Sequence, residues 1–278
     1  MTISRLAAAE NLEFEVKTSL TAADLTPDVR IAVVTQPPGW EENAIDLNGL
    51  AAAAPAIQFL GIDAPGEVSE NVSLIRTAGP DQLGFLGGYL AAVVTPEWRV
   101  GALTASGDPA GVAAGQGFLN GVVFFCGLCQ QKYPPFYTYP IEIELPSTAS
   151  PAERQAAAAT LIDQVVLTVY IGPGVRDEDI LAVLAEAGLR LIGSQSPPAG
   201  LKDQWIATIS SDVPDAIQAA WLELLAGKGG TERNARLVLK DINPDLLSPG
   251  RQLQVEKLIP DLQNGLIDTR VTPASDSP

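Results

Sequence analysis

Two hydrophobic rhythms alternate along this chain. Short runs of consecutive apolar residues, bounded by turn formers, read as buried strands, and longer segments with apolar positions every three or four residues read as helices. Ile3, Leu6 and Ala7 open a helix, and Phe14-Glu15-Val16 alternates as a short strand. The run 29–35 (VRIAVVT) predicts a buried strand stopped by Gln36-Pro37-Pro38-Gly39. A helix over about 44–53, a strand over 56–62 ending at Asp63, and a strand over 71–77 follow. From Pro80 to Phe124 the pattern predicts helix, strand (99–104), loop (Ser106 to Pro109) and a second helix ending near Gly121. Gly84, Gly87 and Gly88 interrupt the face made by Leu83, Leu86, Leu90 and Val94. Glycine inside a helix costs roughly 1 kcal/mol against alanine, so such a cluster implies close packing.

The second half repeats the alternation. Residues 139–145 read as a strand, and Ser150-Pro151-Ala152-Glu153 is a capping box with proline at the first helical position. The helix it starts runs to about Gln164, before a buried strand over 165–171 and the turn Gly172-Pro173-Gly174. A helix bearing Ile180, Leu184 and Ala187, strands over 189–193 and 205–209, and a helix capped by Asp212 and closed by Gly227 come next. A late strand (235–240) and a last helix (253–262) complete the expectation. Strands alternating with helices at this spacing imply parallel sheets, and 278 residues suffice for two lobes.

Charge and composition narrow the chemistry. The formal charge is −16, from 17 basic and 33 acidic residues, so a nucleic-acid partner is disfavoured. Histidine is absent, which removes Ser-His-Asp and Cys-His nucleophiles and histidine metal sites and argues against a hydrolase. The two cysteines, Cys126 and Cys129, read as a short disulfide or a pair of half-buried thiols. A redox motif would open a helix after a strand, whereas this pair follows an apolar helix, and no further zinc ligands are evident. No metal or cofactor is expected. Tyr133, Phe136, Tyr137 and Tyr139, with three prolines, read as a surface loop packed on its lobe. No signal peptide is visible, no apolar run is expected to reach the roughly 18 residues of a membrane span, and the tail after Val271 is expected to fray.

Gly172-Pro173-Gly174 lacks the third glycine of a dinucleotide fingerprint and the Gly-Lys-Ser/Thr of a P-loop. Asp177, Glu178 and Asp179 fill the following helical turn and would repel a phosphate. That turn instead lines a crevice. Polar residues at strand ends, Gln36, Asp63, Thr77, Ser106, Asp108, Gln195, Ser196, Ser211 and Asp212, would grip a hydroxylated small molecule without reacting with it.

Several segments resemble the basic membrane protein family of substrate-binding lipoproteins. They are Gln58 to Asp63 (QFLGID), Gln82 to Ala92 (QLGFLGGYLAA), Val100-Gly-Ala-Leu with Pro109, Gly117-Phe118 and Gly121, and Leu258 to Ile267 (LIPDLQNGLI). The resemblance implies an α/β type 1 periplasmic-binding-protein fold of two lobes, with 1–78 plus 212–241 in the first and 79–211 plus 242–278 in the second. It further implies an extracytoplasmic solute-binding protein of an ABC importer, not an enzyme, that closes on a nucleoside or similar hydroxylated metabolite. The partners implied are that ligand and an ABC permease, with membrane attachment only through a lipid anchor outside this chain. Gln36 and Asp63 are expected to contact ligand from the first lobe, Ser106, Gly172 and Gln195 from the second, with Asp212 at a hinge. Chain crossings are expected near 77–80, 209–212 and 241–247.

Two departures stand out. The family's first strand has no counterpart, since this chain starts on the helix after it. The Asp-rich segment that follows the strand matching 189–193 is here Ser194-Gln195-Ser196-Pro197, without a carboxylate for ribose hydroxyls. A ligand sensor or scaffold of the same fold is the alternative, and an α/β enzyme acting on a sugar or nucleotide is a second.

Overall fold

The computed structural model describes residues 2–35 and 45–269. It is α/β, with two parallel sheets flanked by helices in two compact units. Unit 1 holds the residues up to Ala78 with Ser211–Arg236, and unit 2 holds Gly79–Ser210 with the residues from Leu237 on. The chain therefore passes from one unit to the other three times.

In unit 1, α1 (Thr2–Ala9) is followed by β1 (Ile31–Thr35), α2 (Leu47–Ala53), β2 (Gln58–Ile62) and β3 (Val72–Arg76). After the second crossing come α7 (Val213–Leu225) and β9 (Glu232–Asn234). The sheet order is β1-β2-β3-β9 with parallel pairing, the arrangement of a sheet covered on both faces. Every residue of β2 is buried, and its successive side chains enter two different cores. Leu60 and Ile62 join Ile75, Trp221 and Leu224 under α1 and α7, whereas Phe59 joins Val72, Leu74 and Leu47 under α2. β1 is bonded directly to β2, with Ile31 opposite Gln58 and Thr35 opposite Ile62.

Unit 2 runs α3 (Pro80–Val94), β4 (Val100–Ser106), α4 (Pro109–Cys126), β5 (Ile141–Pro146), α5 (Pro151–Asp163), β6 (Thr168–Ile171), α6 (Glu178–Glu186), β7 (Arg190–Gly193) and β8 (Trp205–Ser211). After the third crossing it closes with β10 (Leu237–Lys240), α8 (Pro249–Glu256) and α9 (Ile259–Gln263). The sheet order is β10-β8-β7-β6-β4-β5. Leu103, Val169, Leu191 and Trp205 pack with Leu161 of α5 and Leu181 and Leu184 of α6. The other face meets α3, where the Tyr170 ring lies against Gly87 and stacks on Phe118 at 5.8 Å.

Glycines seam α3 to α4. A Cβ at Gly84 or Gly88 would fall within 3.0 Å of the carbonyl oxygen of Ala114 or Phe118, and one at Gly117 or Gly121 would do the same to Asp81 or Phe85. The contacts rise together along both helices, so α3 and α4 run parallel with their backbones touching. This is the packing reason for the glycine cluster.

Several expectations are corrected here. Phe14 and Val16 lie in exposed irregular chain, because among the described residues no strand pairs with that short run. The late strand is shorter than expected, Leu237–Lys240 (β10), and an unexpected strand, β9, precedes it in the other sheet, with the crossing at Arg236–Leu237. α4 continues past Gly121 to Cys126, and the last helix is two, α8 and α9. By length and composition α4 is apolar enough to cross a membrane, contrary to expectation, but its glycine face is closed against α3. The turn at Gln36–Gly39, the start of the 44–53 helix and the tail after Val271 lie outside the described residues.

Gly88→Ala should destabilise the protein by about 1–3 kcal/mol, although alanine favours a helix, because the added methyl has no space. A lowered thermal midpoint would show it, and an unchanged one would contradict the seam. Burial without a partner leaves the Tyr170 hydroxyl unsatisfied and raises its pKa. Tyr170→Phe should therefore leave the thermal midpoint unchanged or raise it, since it deletes a buried polar atom that makes no bond.

Candidate functional site

An open parallel sheet presents its functional residues where strands give way to loops at the carboxyl edge. At that edge of unit 1, Asp63 follows β2 with φ at 51°, a left-handed conformation that aspartate tolerates better than most side chains. Its carboxylate accepts from the Thr77 N–H at 2.8 Å and the Thr77 hydroxyl at 2.7 Å. The Ser211 hydroxyl accepts from the Ala78 N–H at 2.8 Å, and the Asp212 N–H donates to the Arg236 carbonyl at 2.7 Å. Asp63, Ser211 and Asp212 thus tie down the segments at which the chain leaves and re-enters unit 1. Asp212 sits at the helix start, but its side chain makes no capping bond. Gln36 lies outside the described residues.

The carboxyl edge of unit 2 is richer. Ser106 ends β4, Gly172 follows β6, and Gln195 comes just after β7. The sheet order sets these three on successive strands, β4, β6 and β7. The Gly172 N–H is held by the Leu103 carbonyl at 2.9 Å, which fixes the mouth of the turn. Asp108 caps α4 by accepting from the Ala110 N–H at 3.0 Å. Asp177 accepts from the Asp179 and Ile180 N–H groups at the start of α6 and pairs with Arg154. The first N–H donors of α6 are therefore taken by its own cap, in keeping with the absence of a phosphate motif.

Three residues that sequence reasoning did not select complete this edge. The Arg176 guanidinium donates to Gln195 Oε1 at 3.1 Å. Trp205 Nε1 donates to Thr208 Oγ1 at 3.0 Å, and the Thr208 hydroxyl donates to Asp241 Oδ2 at 2.8 Å, with the Gln195 carbonyl 3.4 Å away. Asp241, just past β10, has φ at 48° and is exposed. The carboxylate missing from Ser194–Pro197 thus arrives from another strand, one hydroxyl away from Gln195. Asp241 carried no signal of this in the sequence, because it lies just before Asn243-Pro244 and reads as a turn former.

Two cavities differ in character, the first at this same edge. One of about 110 Å³ lies between the ends of β5 and β6, beside Arg154, Arg176 and Asp177. Another, of about 670 Å³, lies at the amino edge of unit 1 and is lined by Arg30, Ile57, Gln58, Leu224 and Gly227. It is remote in the sheet from Asp63, and it is half framed by the carboxyl-terminal ends of α2 and α7. Among the described residues no group of His, Cys, Asp and Glu side chains is placed to hold a metal ion.

Glu142 on β5 is an acid of unit 2 altered by its surroundings. Burial raises its pKa, and the 2.7 Å hydrogen bond from Thr104 opposes the rise. Its carboxylate lies against Gly115 of α4, leaving no room for a side chain there.

No family model matches the sequence, and no curated protein matches it. Solved structures do resemble the fold. An ABC transporter solute-binding protein from Conexibacter woesei superposes with a TM-score of 0.68 at 20% identity, covering 96% of this chain and 90% of that one. An ABC transporter solute-binding protein from Aeropyrum pernix gives 0.59 at 16% identity, covering 95% and 79%. A LacI family transcriptional regulator from Enterococcus faecium, with bound ribose, gives 0.51 at 13% identity, covering 86% and 89%. The fold is therefore periplasmic-binding-protein-like.

Because the folded pKa of Glu142 exceeds its unfolded value, the folded state holds the extra proton between the two, and stability falls as pH rises through that window. Above both values the penalty is constant. Glu142→Gln should raise stability at pH 7 by up to about 1 kcal/mol, with the gain vanishing below the ordinary glutamate pKa. Thermal melts of the pair from acid to neutral pH would show this; a gain independent of pH would contradict it.

Proposed function

We propose that this chain is the extracytoplasmic solute-binding component of an ABC importer. It would take a small neutral hydroxylated ligand, of the pentose or nucleoside class, and perform no chemistry on it. The observation that carries the reading is the row Arg176, Gln195, Thr208 and Asp241 along the carboxyl edge of unit 2. A carboxylate accepts from two neighbouring hydroxyls at once, while the amide and guanidinium supply donors to ring and hydroxyl oxygens. Ser106 and the Gly172 turn would border the ligand on the same edge, and Asp63 and Asp212 would act by holding the crossing segments.

Fold similarity to two ABC transporter solute-binding proteins supports the transport role, and similarity to a regulator holding ribose supports the ligand class. The want of histidine supports binding without catalysis. A ligand sensor is the second reading, favoured by that same regulator. Membership of the basic membrane protein family and attachment by a lipid remain part of the proposal and rest on the sequence motifs.

A thermal-shift panel of ribose, other pentoses, hexoses and purine and pyrimidine nucleosides tests this. A ligand at about 100 times its Kd should stabilise by about 2.7 kcal/mol, or roughly 5–10 °C at this chain length. Asp241→Asn and Arg176→Ala should each weaken binding by about ten-fold or more without lowering the unliganded midpoint. Mass spectrometry should recover the ligand unchanged. Turnover would replace this reading with an enzyme, and silence across the panel would favour a scaffold without ligand.

A further inference from the structure

Unit 2 has a second distinctive end. The carboxyl-terminal ends of α3 and α4 and the beginnings of β4 and β5 meet at the amino edge of its sheet, opposite the row containing Asp241. We propose that this end is a docking surface that seats in the interfacial layer of a lipid bilayer.

The first observation is exposure concentrated in one place. Phe124, Phe125, Leu128, Tyr133, Phe136 and Tyr137 are all exposed, Leu128 at 85% and Tyr133 and Phe136 at 68% each. Val165 and Leu167, just before β6, add apolar surface where the Leu167 N–H meets the Arg99 carbonyl. Exposed apolar side chains gathered along one stretch, from Phe124 to Tyr137, mark an interaction surface, whereas isolated ones need no explanation.

The second observation is that the exposure is not looseness. A disulfide joins Cys126 and Cys129 at the turn out of α4. The Lys132 N–H donates to Glu97 Oε1 at 3.1 Å, and buried Arg99 donates to the Tyr133 carbonyl at 2.9 Å. The Tyr139 hydroxyl donates to the Gln164 carbonyl, anchoring the far end of the loop. Phe124 packs edge-on against Phe85 at 5.4 Å, and Phe125 against Tyr89 at 5.5 Å. The chain holds these rings outward on a braced platform.

Charge identifies the occupant. Between Asp108 and Glu142 the sequence contains one charged residue, Lys132, although the chain carries 33 carboxylates and a net charge of −16. The Glu97 carboxylate that meets the loop is paired with Arg99. The approach of an acidic protein to a phospholipid headgroup layer is favoured by a loop free of carboxylates, and exposed Asp163, two residues before Val165, is a carboxylate at its flank. Tyrosine and phenylalanine with a flanking lysine suit that layer, where ring bodies enter the acyl boundary and phenol and ammonium groups stay wet. Gln130, Lys132 and Thr138 are exposed among the rings and would lie in the headgroup layer beside them.

Vesicle flotation tests the proposal on the full chain with phosphatidylcholine vesicles. The protein should float with lipid, and the double variant Leu128→Ser/Phe136→Ser should lower its partitioning by about ten-fold or more, given the apolar area removed. Both side chains are exposed, so the variant's thermal midpoint should match the parent's. Separately, Leu128→Trp should blue-shift its emission on adding vesicles and be quenched by lipids brominated in the acyl chain. The proposal is overturned if the parent stays soluble at millimolar lipid, or if flotation survives the double variant. It is also overturned if sedimentation shows a concentration-dependent dimer, lost in the double variant, without flotation; the surface would then pair two copies of this chain.

Discussion

The parallel contact of α3 with α4 is the constraint on which unit 2 depends. Four glycines let the two backbones meet with no side chain between them, and the meeting fixes both helices in rotation and in axial position. With α3 held, Gly87 presents a gap that the Tyr170 ring fills, so the central strand β6 has one possible depth under the helices. With α4 held, Gly115 passes over Glu142 and brings β5 to the end of the sheet. The loss of helix propensity at four positions is offset by contact area that bulkier residues would forbid.

The same seam separates the two ends of the unit. Strands β4, β6 and β7 lead to polar groups at the carboxyl edge, where Asp241 joins them through Thr208 of β8, while the helices after which β4 and β5 begin deliver rings to the amino edge. Backbone strain is found at both ends, with Glu97, Trp98, Cys129 and Val165 at positive φ around the amino edge. Asp63 and Asp241 both follow strands and both take positive φ, in units 1 and 2 respectively. Such conformations cost of order 1–3 kcal/mol and persist only where the surroundings over-determine them. Here the surroundings are hydroxyls: Thr77 for Asp63, and Thr208, itself held by Trp205, for Asp241.

Much of the fold was legible in the chain because it depends on local pattern. The runs in 29–35, 56–62 and 165–171 contain β1, β2 and β6, although each strand proved shorter at its amino end, where backbone pairing stops before hydrophobicity does. Ser150–Glu153 caps α5 with both reciprocal bonds in place. Local pattern failed where pairing partners decide. Phe14-Glu15-Val16 alternates but pairs with no strand among the described residues, and Glu232–Asn234, which lacks an apolar run, becomes a strand by pairing with β3. Of the candidate site, Ser106, Gly172 and Gln195 were readable as residues at strand ends. Arg176, Thr208 and Asp241 were not, since their significance arises only from one another.

Sequence by itself determined the alternation of strand and helix, the parallel α/β class, the glycine demand for close helix contact, and the want of histidine and basic clusters. Each follows from the periodicity or chemistry of residues near one another in the chain, where side-chain direction is set by backbone type. Tertiary structure alone decided which strands are neighbours, where the third crossing falls, and that Asp241 stands one hydroxyl from Gln195. It also decided that the rings from Phe124 to Tyr137 remain outside, on a loop braced by Glu97 and Arg99. Those outcomes rest on contacts between residues tens of positions apart, which depend on how whole layers pack and leave no mark on local spacing.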